Sequence, residues 1–292
     1  MSLHTALQAA IAGALTGGLY ALMALGLSLT WGMLRVINLA HFALILLGGY
    51  FTFELATSAG IDPLLTIVVT GPVLFVAGAA MQWAYDRFRL SEFNSLLVSF
   101  GVLIVVIQLV SNYWSADFQR MTSDVNPYAT QSLRLAGFAF PMPRLLAFVA
   151  AVVLVGGTHL WLQRTYPGRA LRAFAQDRTI AAAFGIDHVR LGLLLGGVAG
   201  LTAATAGMLI SVDRALTPSA PFEWVGIVFA VVILGGIGNA VGTLLAGVLV
   251  GALAGVVSVG WSPSTAPLVI FSLIIVALVV RPRGLFARRI AT

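Results

Sequence analysis

The sequence predicts an all-α fold, a polytopic transmembrane helical bundle, and three observations predict it. Hydrophobic residues make up 60% of the chain and charged residues 9%, against about 25% charged in ordinary globular domains. The mean hydropathy is +1.01. The few charges are segregated, leaving charge-free stretches close to or longer than the roughly 20 residues a helix needs to cross a hydrocarbon core about 30 Å thick.

These stretches run from Thr5 to Leu34, Val36 to Phe53, Pro63 to Tyr85, Phe93 to Ala116, Leu145 to Gln163, Leu191 to Val212 and Trp224 to Val280. The last is too long for one helix. Breaks are expected at Gly235-Gly236-Ile237-Gly238-Asn239 and at Trp261-Ser262-Pro263-Ser264, which gives three helices there and about nine spans in all. A re-entrant segment between Thr5 and Phe53 would make the count about eight or ten and move the N-terminus to the other side. The opening MSLHTALQAA has no basic residue ahead of its apolar run, and that run exceeds the apolar region of a signal peptide, so it is expected to be retained as a helix.

If the spans alternate, Arg35, Arg87, Arg89, Arg164, Arg169, Arg172, Arg178, Arg190, Arg281, Arg283, Arg288 and Arg289 share one side. Arg120, Arg134, Arg144 and Arg214 take the other. The positive-inside rule makes the richer side cytoplasmic, with the N-terminus outside and the C-terminus inside a plasma membrane of the bacterial type. Residues 117–143 then form an external loop or short surface helix, marked by Asp117, Asp124, Pro127, Pro141 and Pro143. Residues 164–190 form an internal loop. Its RTYPGRALRAFAQDRTIAAAFGIDHVR predicts a short amphipathic helix after Pro167-Gly168, stopped at Gly185. Arg169, Arg172 and Arg178 would form its polar side, and Leu171, Ala175 and Ile180 its apolar one.

Composition removes several kinds of chemistry. All sixteen basic residues are arginine and there is no cysteine. A GxxxxGK[ST] nucleotide loop, a Schiff-base lysine and a thiolate metal site therefore cannot be built. His4, His41, His159 and His188 fall in separate segments, with neither HExxH nor GxSxG spacing, so no enzyme, metal site or cofactor is expected. The arginines are scattered between apolar spans, which argues against nucleic acid. Glu54, Asp86, Glu92 and Asp213 sit at span ends, so no mid-membrane carboxylate supports a proton- or sodium-driven carrier.

Asn38 and His41, three apart, are expected on one helix face inside a span, either in a pathway or gate or in an interhelical hydrogen bond. Gly13 and Gly17, Gly196 and Gly200, Gly238 and Gly242, and Gly247 and Gly251 have the small-xxx-small spacing of close helix packing. Gly235, Gly236 and Gly238 are candidates for a hinge or turn.

The loop residues Gly168, Arg169, Ala170, Arg172, Ala173, Asp177, Ala181, Gly185 and Ile186 resemble the loop by which LivH-type permeases of branched-chain amino acid ABC transporters couple to their ATPases. GLYALMALGLSLTWGMLRVINLAH (Gly18 to His41), VILGGIGNAVGTLLAGVLVG (Val232 to Gly251) and Arg281-Pro282-Arg283-Gly284 extend the resemblance over most of the chain. It implies one permease domain over residues 1–292, with no cofactor, in an importer of branched-chain or related amino acids. Its implied partners are a second homologous permease, two cytosolic ATP-binding subunits and an extracytoplasmic substrate-binding protein. An ion-coupled secondary transporter or channel for a small polar solute is the alternative. Phe42 and Ala43, where the family commonly has glycine and then a polar residue, depart from the pattern, as does Pro218-Ser219-Ala220-Pro221-Phe222.

Overall fold

The computed structural model describes residues 2–135, 137–280 and 284–286. Arg281, Pro282, Arg283, Arg288 and Arg289 lie outside the described residues.

The architecture is the expected helical membrane bundle. Helix α1 spans Leu3–Leu29, and its N-terminus is capped by Ser2, whose hydroxyl accepts from the Thr5 amide at 3.2 Å. It runs on as a π-turn over Thr30–Leu34, and the whole Leu3–Leu34 rod is about 48 Å long at about 1.5 Å per residue. The further membrane helices are α2 (Ala40–Ala59), α3 (Ile67–Arg87), α4 (Glu92–Trp114) and α5 (Met142–Arg164), followed after the internal loop by α8 (His188–Asp213), α9 (Ala220–Gly235), α10 (Ala240–Gly260) and α11 (Ala266–Val280). Counting the Leu3–Leu34 rod, seven helices among the described residues are long and apolar enough to cross a membrane, and α9 and α11 are shorter apolar helices. Both expected breaks occur: α9 ends at Gly235 and α10 starts at Ala240, and Pro263–Thr265 forms a 3-10 turn before α11.

Two glycine seams set the packing. Gly13 and Gly17 of α1 lie against Gly251 and Gly247 of α10, so closely that a methyl group at Gly17 would overlap the Gly247 carbonyl. Gly196 and Gly200 of α8 lie in the same way against Gly78, Gln82 and Leu74 of α3. Lipid tails are as apolar as leucine, so close backbone approach and the dispersion contacts it allows hold such helices together. Gly238 and Gly242 do not share a helix: Gly238 lies in the turn before α10 and faces Gly32, while Gly242 faces Gly235. Between the seams the core is filled by Leu22, Met23, Phe42, Ile45, Tyr50 and Leu74. Phe42 and Ala43 are fully buried in this core.

The external loop differs from expectation. Residues Ser132–Leu135 and Phe138–Pro141 pair as an antiparallel hairpin, β1 and β2, with Gly137 at φ +82°. Gln8 pins it to the start of α1, its side chain donating to the Ala139 carbonyl at 2.7 Å and accepting from the Ala139 amide at 3.1 Å. The N-terminus and the external loop thus share one end of the bundle, and Asp213 and Arg144 are ion-paired there at 3.4 Å.

The packing gives a paired prediction. Gly17→Ala should destabilise the protein in detergent by about 1–3 kcal/mol through overpacking at the α1/α10 seam. Gly101→Ala on α4, where an added methyl meets nothing within 4 Å, should leave the thermal midpoint unchanged or raise it. Equal midpoints for the two variants would contradict the seam.

Candidate functional site

The internal loop folds as two short helices rather than one. In α6 (Tyr166–Gln176) Thr165 is the N-cap, accepting from the Gly168 amide at 3.2 Å, and Pro167 sits in the first turn, where no amide is needed. Gly168 is pressed against Trp161 and Leu162 at the end of α5, leaving no room for a side chain. Asp177 ends α6 because its extended backbone and carboxylate start α7 (Arg178–Ala183), accepting from the amides of Thr179 and Ile180 at 2.8 and 2.9 Å. At Gly185, φ +76°, the chain closes α7: the Gly185 amide donates to Ala182 and the Ile186 amide to Ala181.

The loop's apolar side is correspondingly redrawn. Ala170 is buried, and Leu171, Phe174 and Ala181 are buried in one cluster with Leu29, Met33, Leu34, Tyr85 and Leu162. Ile180, expected on that side, is 57% exposed, and Phe184 is 83% exposed. Phe174, three residues after Leu171, was the missed member, legible from helical spacing. Ala173 faces outward. Arg169 and Arg172 donate to the carbonyls of Arg164 and Gln163 at 3.1 and 3.5 Å, satisfying the end of α5. Arg178 donates to the Leu34 carbonyl and lies 5.0 Å from the centre of the Phe174 ring. Burial, then the neighbouring charge of Arg35, hold its guanidinium below the usual arginine value.

Leu34 is where α1 ends. Arg35 takes a left-handed φ of +54°, and residues 35–39 are not helical. The expectation of Asn38 and His41 on one helix face is therefore wrong: Asn38 precedes α2 and His41 lies in its first turn. The cause is tertiary. The Leu39 amide donates to the Ser99 hydroxyl at 2.9 Å, the Ile37 carbonyl lies 3.3 Å from that hydroxyl, and the Asn38 side-chain carbonyl accepts from Tyr85 at 2.9 Å. Ser99 is seven residues into α4, about 10 Å along its axis, so the segment returns into the bundle before α2 begins.

His41 reaches deeper still, its Nε2 2.9 Å from the Met23 carbonyl of α1, which fixes the proton on that nitrogen. It occupies a gap left by Gly26: a methyl there would stand 2.5 Å from the His41 ring and 2.6 Å from the Thr202 hydroxyl of α8. Asn38 is 7% exposed and His41 1%, and His41 Nδ1 has no partner. Of the two roles open to this pair, an interhelical hydrogen bond is the one the geometry displays. Sequence reasoning missed Tyr85, Ser99 and Gly26, although Ser95 and Ser99 sit four apart on one face of α4.

The glycine turn between α9 and α10 abuts the same place. Gly236 and Gly238 have φ of +85° and +81°, Gly238 packs on Gly32 of the π-turn, and its amide donates to Ser28 at 3.1 Å. Asn239 caps α10 by accepting from the Gly242 amide at 3.1 Å. The two site segments far apart in sequence, 164–190 and 235–239, thus both bear on the end of α1. Among the described residues no three histidines or carboxylates converge on a metal site.

Tyr85→Phe should cost about 1–3 kcal/mol by leaving the buried Asn38 oxygen unpaired, read as a lowered thermal midpoint in detergent. An unchanged midpoint would mean that the Tyr85–Asn38 bond does not hold the segment.

Residues 9–278 match the family described as the permease component of branched-chain amino acid transport systems. The chain is 25% identical over 298 residues to the high-affinity branched-chain amino acid transport system permease protein BraD of Pseudomonas aeruginosa, covering 97% of this chain and 96% of BraD. It is 26% identical over 299 residues to LivH of Escherichia coli, with the same coverage. It is 27% identical over 241 residues to a probable LivH of Methanocaldococcus jannaschii, covering 80% of this chain and 75% of that one. No solved structure matches. With the match running from the second turn of α1 into α11, the chain belongs to the family of permease components of branched-chain amino acid transport systems.

Proposed function

We propose that this chain is the membrane-spanning permease subunit of an ATP-binding-cassette importer that carries branched-chain or chemically related amino acids inward. It would work with a second homologous permease, two cytosolic ATP-binding subunits and an extracytoplasmic binding protein. The observation that carries the reading is the two-sided construction of α6 and α7: one face buried on the end of α1 through Leu171 and Phe174, the other offering Ile180 and Phe184 to a partner. Gly168, Arg169, Ala170, Arg172, Ala173, Asp177, Ala181, Gly185 and Ile186 shape this docking loop.

In this reading closure of the ATPases pushes on α6 and α7. The push passes through Arg178 to the Leu34 carbonyl, and on to the non-helical 35–39 segment that Asn38 and His41 brace. Gly235, Gly236 and Gly238 give at the facing turn. The subunit makes no bonds. A ligand such as leucine needs apolar surface for its side chain and passing partners for its ammonium and carboxylate groups, and weak holding suits release. The buried core of a single chain leaves the pathway to the interface with the second permease.

The arginine-rich end, with Arg35, Arg87, Arg89, Arg164, Arg169, Arg172, Arg178 and Arg190 among the described residues, is read as cytoplasmic. The N-terminus and the hairpin are then outside. A single cysteine at Ser132, exposed on β1, should react with an impermeant reagent on intact cells. Reaction only after permeabilisation would invert the orientation.

Purification of the tagged chain in mild detergent should bring down a second permease and two ATPases. Recovery of the chain alone, active in uptake driven by an ion gradient, would replace the importer with a secondary carrier. Phe184→Asp should weaken ATPase association about tenfold or more, the loss expected of one interface anchor, while expression and insertion stay normal. Undiminished association would remove the docking role from α7.

A further inference from the structure

The geometry points to a seat for the phosphate of an anionic phospholipid at the arginine-rich ends of α3 and α8, beside α7. Two adjoining cavities of about 570 and 220 Å³ meet there and share Tyr85, Asp86, Leu90 and Arg178. Arg87 and Arg89 line the larger, and Arg35 the smaller. His188, also on the larger cavity, is stacked on Phe174 with ring centres 6.0 Å apart. Against these four guanidinium groups stand two carboxylates. Glu92 accepts from the Trp31 indole at 2.8 Å, and Asp86 accepts from Gln82 at 3.2 Å while its other oxygen, turned into the protein, has no partner. Among the described residues none of the four arginines has a carboxylate oxygen within 4.0 Å. The cavities therefore carry an excess of unpaired cation around a space the size of a headgroup.

Two further observations, and the chemistry of guanidinium groups, fit a phosphate better than water alone. Arg35 and Arg89 hold left-handed φ of +54° and +50°, two of only three non-glycine residues among those described to do so. Glycine is the ordinary occupant of such helix-terminal positions, and arginine there places a guanidinium at the cavity rim. The Arg178 guanidinium is held below its usual value, by burial first and then by Arg35, and a bound anion would offset both by favouring the charged form. Guanidinium groups also match the paired oxygens of a phosphate.

The lipid source follows from α3. Trp83 lines the larger cavity and is 53% exposed, and Val76, Val73 and Val69 continue its exposed apolar face along the membrane-crossing helix at helical spacing. An acyl chain can lie on that stripe while its headgroup occupies the arginines, whereas free phosphate makes no use of it. Ordinary snorkelling arginines at a membrane surface also favour anionic lipid, but they would do so without dependence on which arginine is removed. The seat goes beyond the importer reading and stands whether or not ATPases dock on α7.

The test uses the full chain in nanodiscs and in detergent, with native mass spectrometry of lipid retained from mixtures of phosphatidylglycerol and phosphatidylcholine. The wild type should retain phosphatidylglycerol, and Arg87→Gln with Arg89→Gln should lose that preference about thirty-fold, roughly the contribution of two surface cations. Arg190→Gln is the control, since Arg190 lies outside both cavities, pairs with Asp187 at 3.0 Å, and has its side chain 86% exposed; it should behave as wild type. Equal preference in the double variant and wild type overturns the seat, and so does an equal loss in the control. Stabilisation by inorganic phosphate equal to that by phosphatidylglycerol overturns the lipid assignment. Lost ATPase association with lipid preference intact would give Arg87 and Arg89 to the partner instead.

Discussion

A peptide group in hydrocarbon has no water to bond, and every unpaired one costs several kcal/mol, so chain inside a membrane is helical unless neighbouring side chains take over. Here the takeover happens at residues 35–39. The hydroxyl of Ser99 serves the Leu39 amide and faces the Ile37 carbonyl, and Arg178 occupies the carbonyl of Leu34 where the helical ladder stops. Because these hydrogen-bond partners come from α4 and the 164–190 loop, the break in the first third of the chain depends on the assembly of the rest of the bundle. The position of α2, and with it the burial of His41 between α1 and α8, depends on that assembly.

The glycine seams are the complement of this polar bracing. Where α1 meets α10 and α3 meets α8, the backbones approach so closely that the helices cannot slide without a clash, and dispersion between them replaces the hydrophobic drive that lipid removes. Around the 35–39 break Val36 and Leu39 are buried in the apolar core, but the backbone is held by single hydrogen bonds and not by a helical ladder. The bundle is thus stiff along its glycine seams and has a place near the arginine-rich end where a small set of bonds can be exchanged.

Much of this was legible in the sequence, and for physical reasons. Desolvation of charge is so costly that charge-free runs mark the membrane helices, and Gly235 to Asn239 and Trp261 to Ser264 break the last run where the structure breaks it. Gly185 ends α7 because a left-handed turn favours glycine. What was not legible depends on partners distant in sequence. Val36-Ile37-Asn38-Leu39 contains neither glycine nor proline, and its departure from helix is imposed by Tyr85 and Ser99, 47 and 60 residues away. The hairpin of Ser132–Leu135 with Phe138–Pro141 is short enough that its alternation is hidden among prolines, and it is held by Gln8, 131 residues distant from Ala139. Asp177 could have been read as a helix start as easily as part of a polar face, which is why one helix was expected where two occur.

The split at Asp177 changes how a load on the internal loop is carried. One continuous amphipathic helix could roll on its apolar stripe. Two helices joined at a capping aspartate cannot roll together, because each is anchored separately: α6 by Gly168 against α5 and by Leu171 and Phe174 in the cluster under it, α7 by Arg178 on Leu34 and by Ala181. In the proposed reading, a push on the exposed Phe184 and Ile180 would bear on α7 and reach the end of α1 both through Arg178 on Leu34 and through the apolar cluster that holds Ala181, Leu171 and Phe174, while α6 stays on the end of α5. The end of α1 is already the weakest point of its ladder, a π-turn followed by a left-handed arginine. In the proposed reading, displacement entering there would meet the side-chain hydrogen bonds at Asn38 and His41 and not a full helical ladder, and so would fall on the start of α2 before the glycine seams.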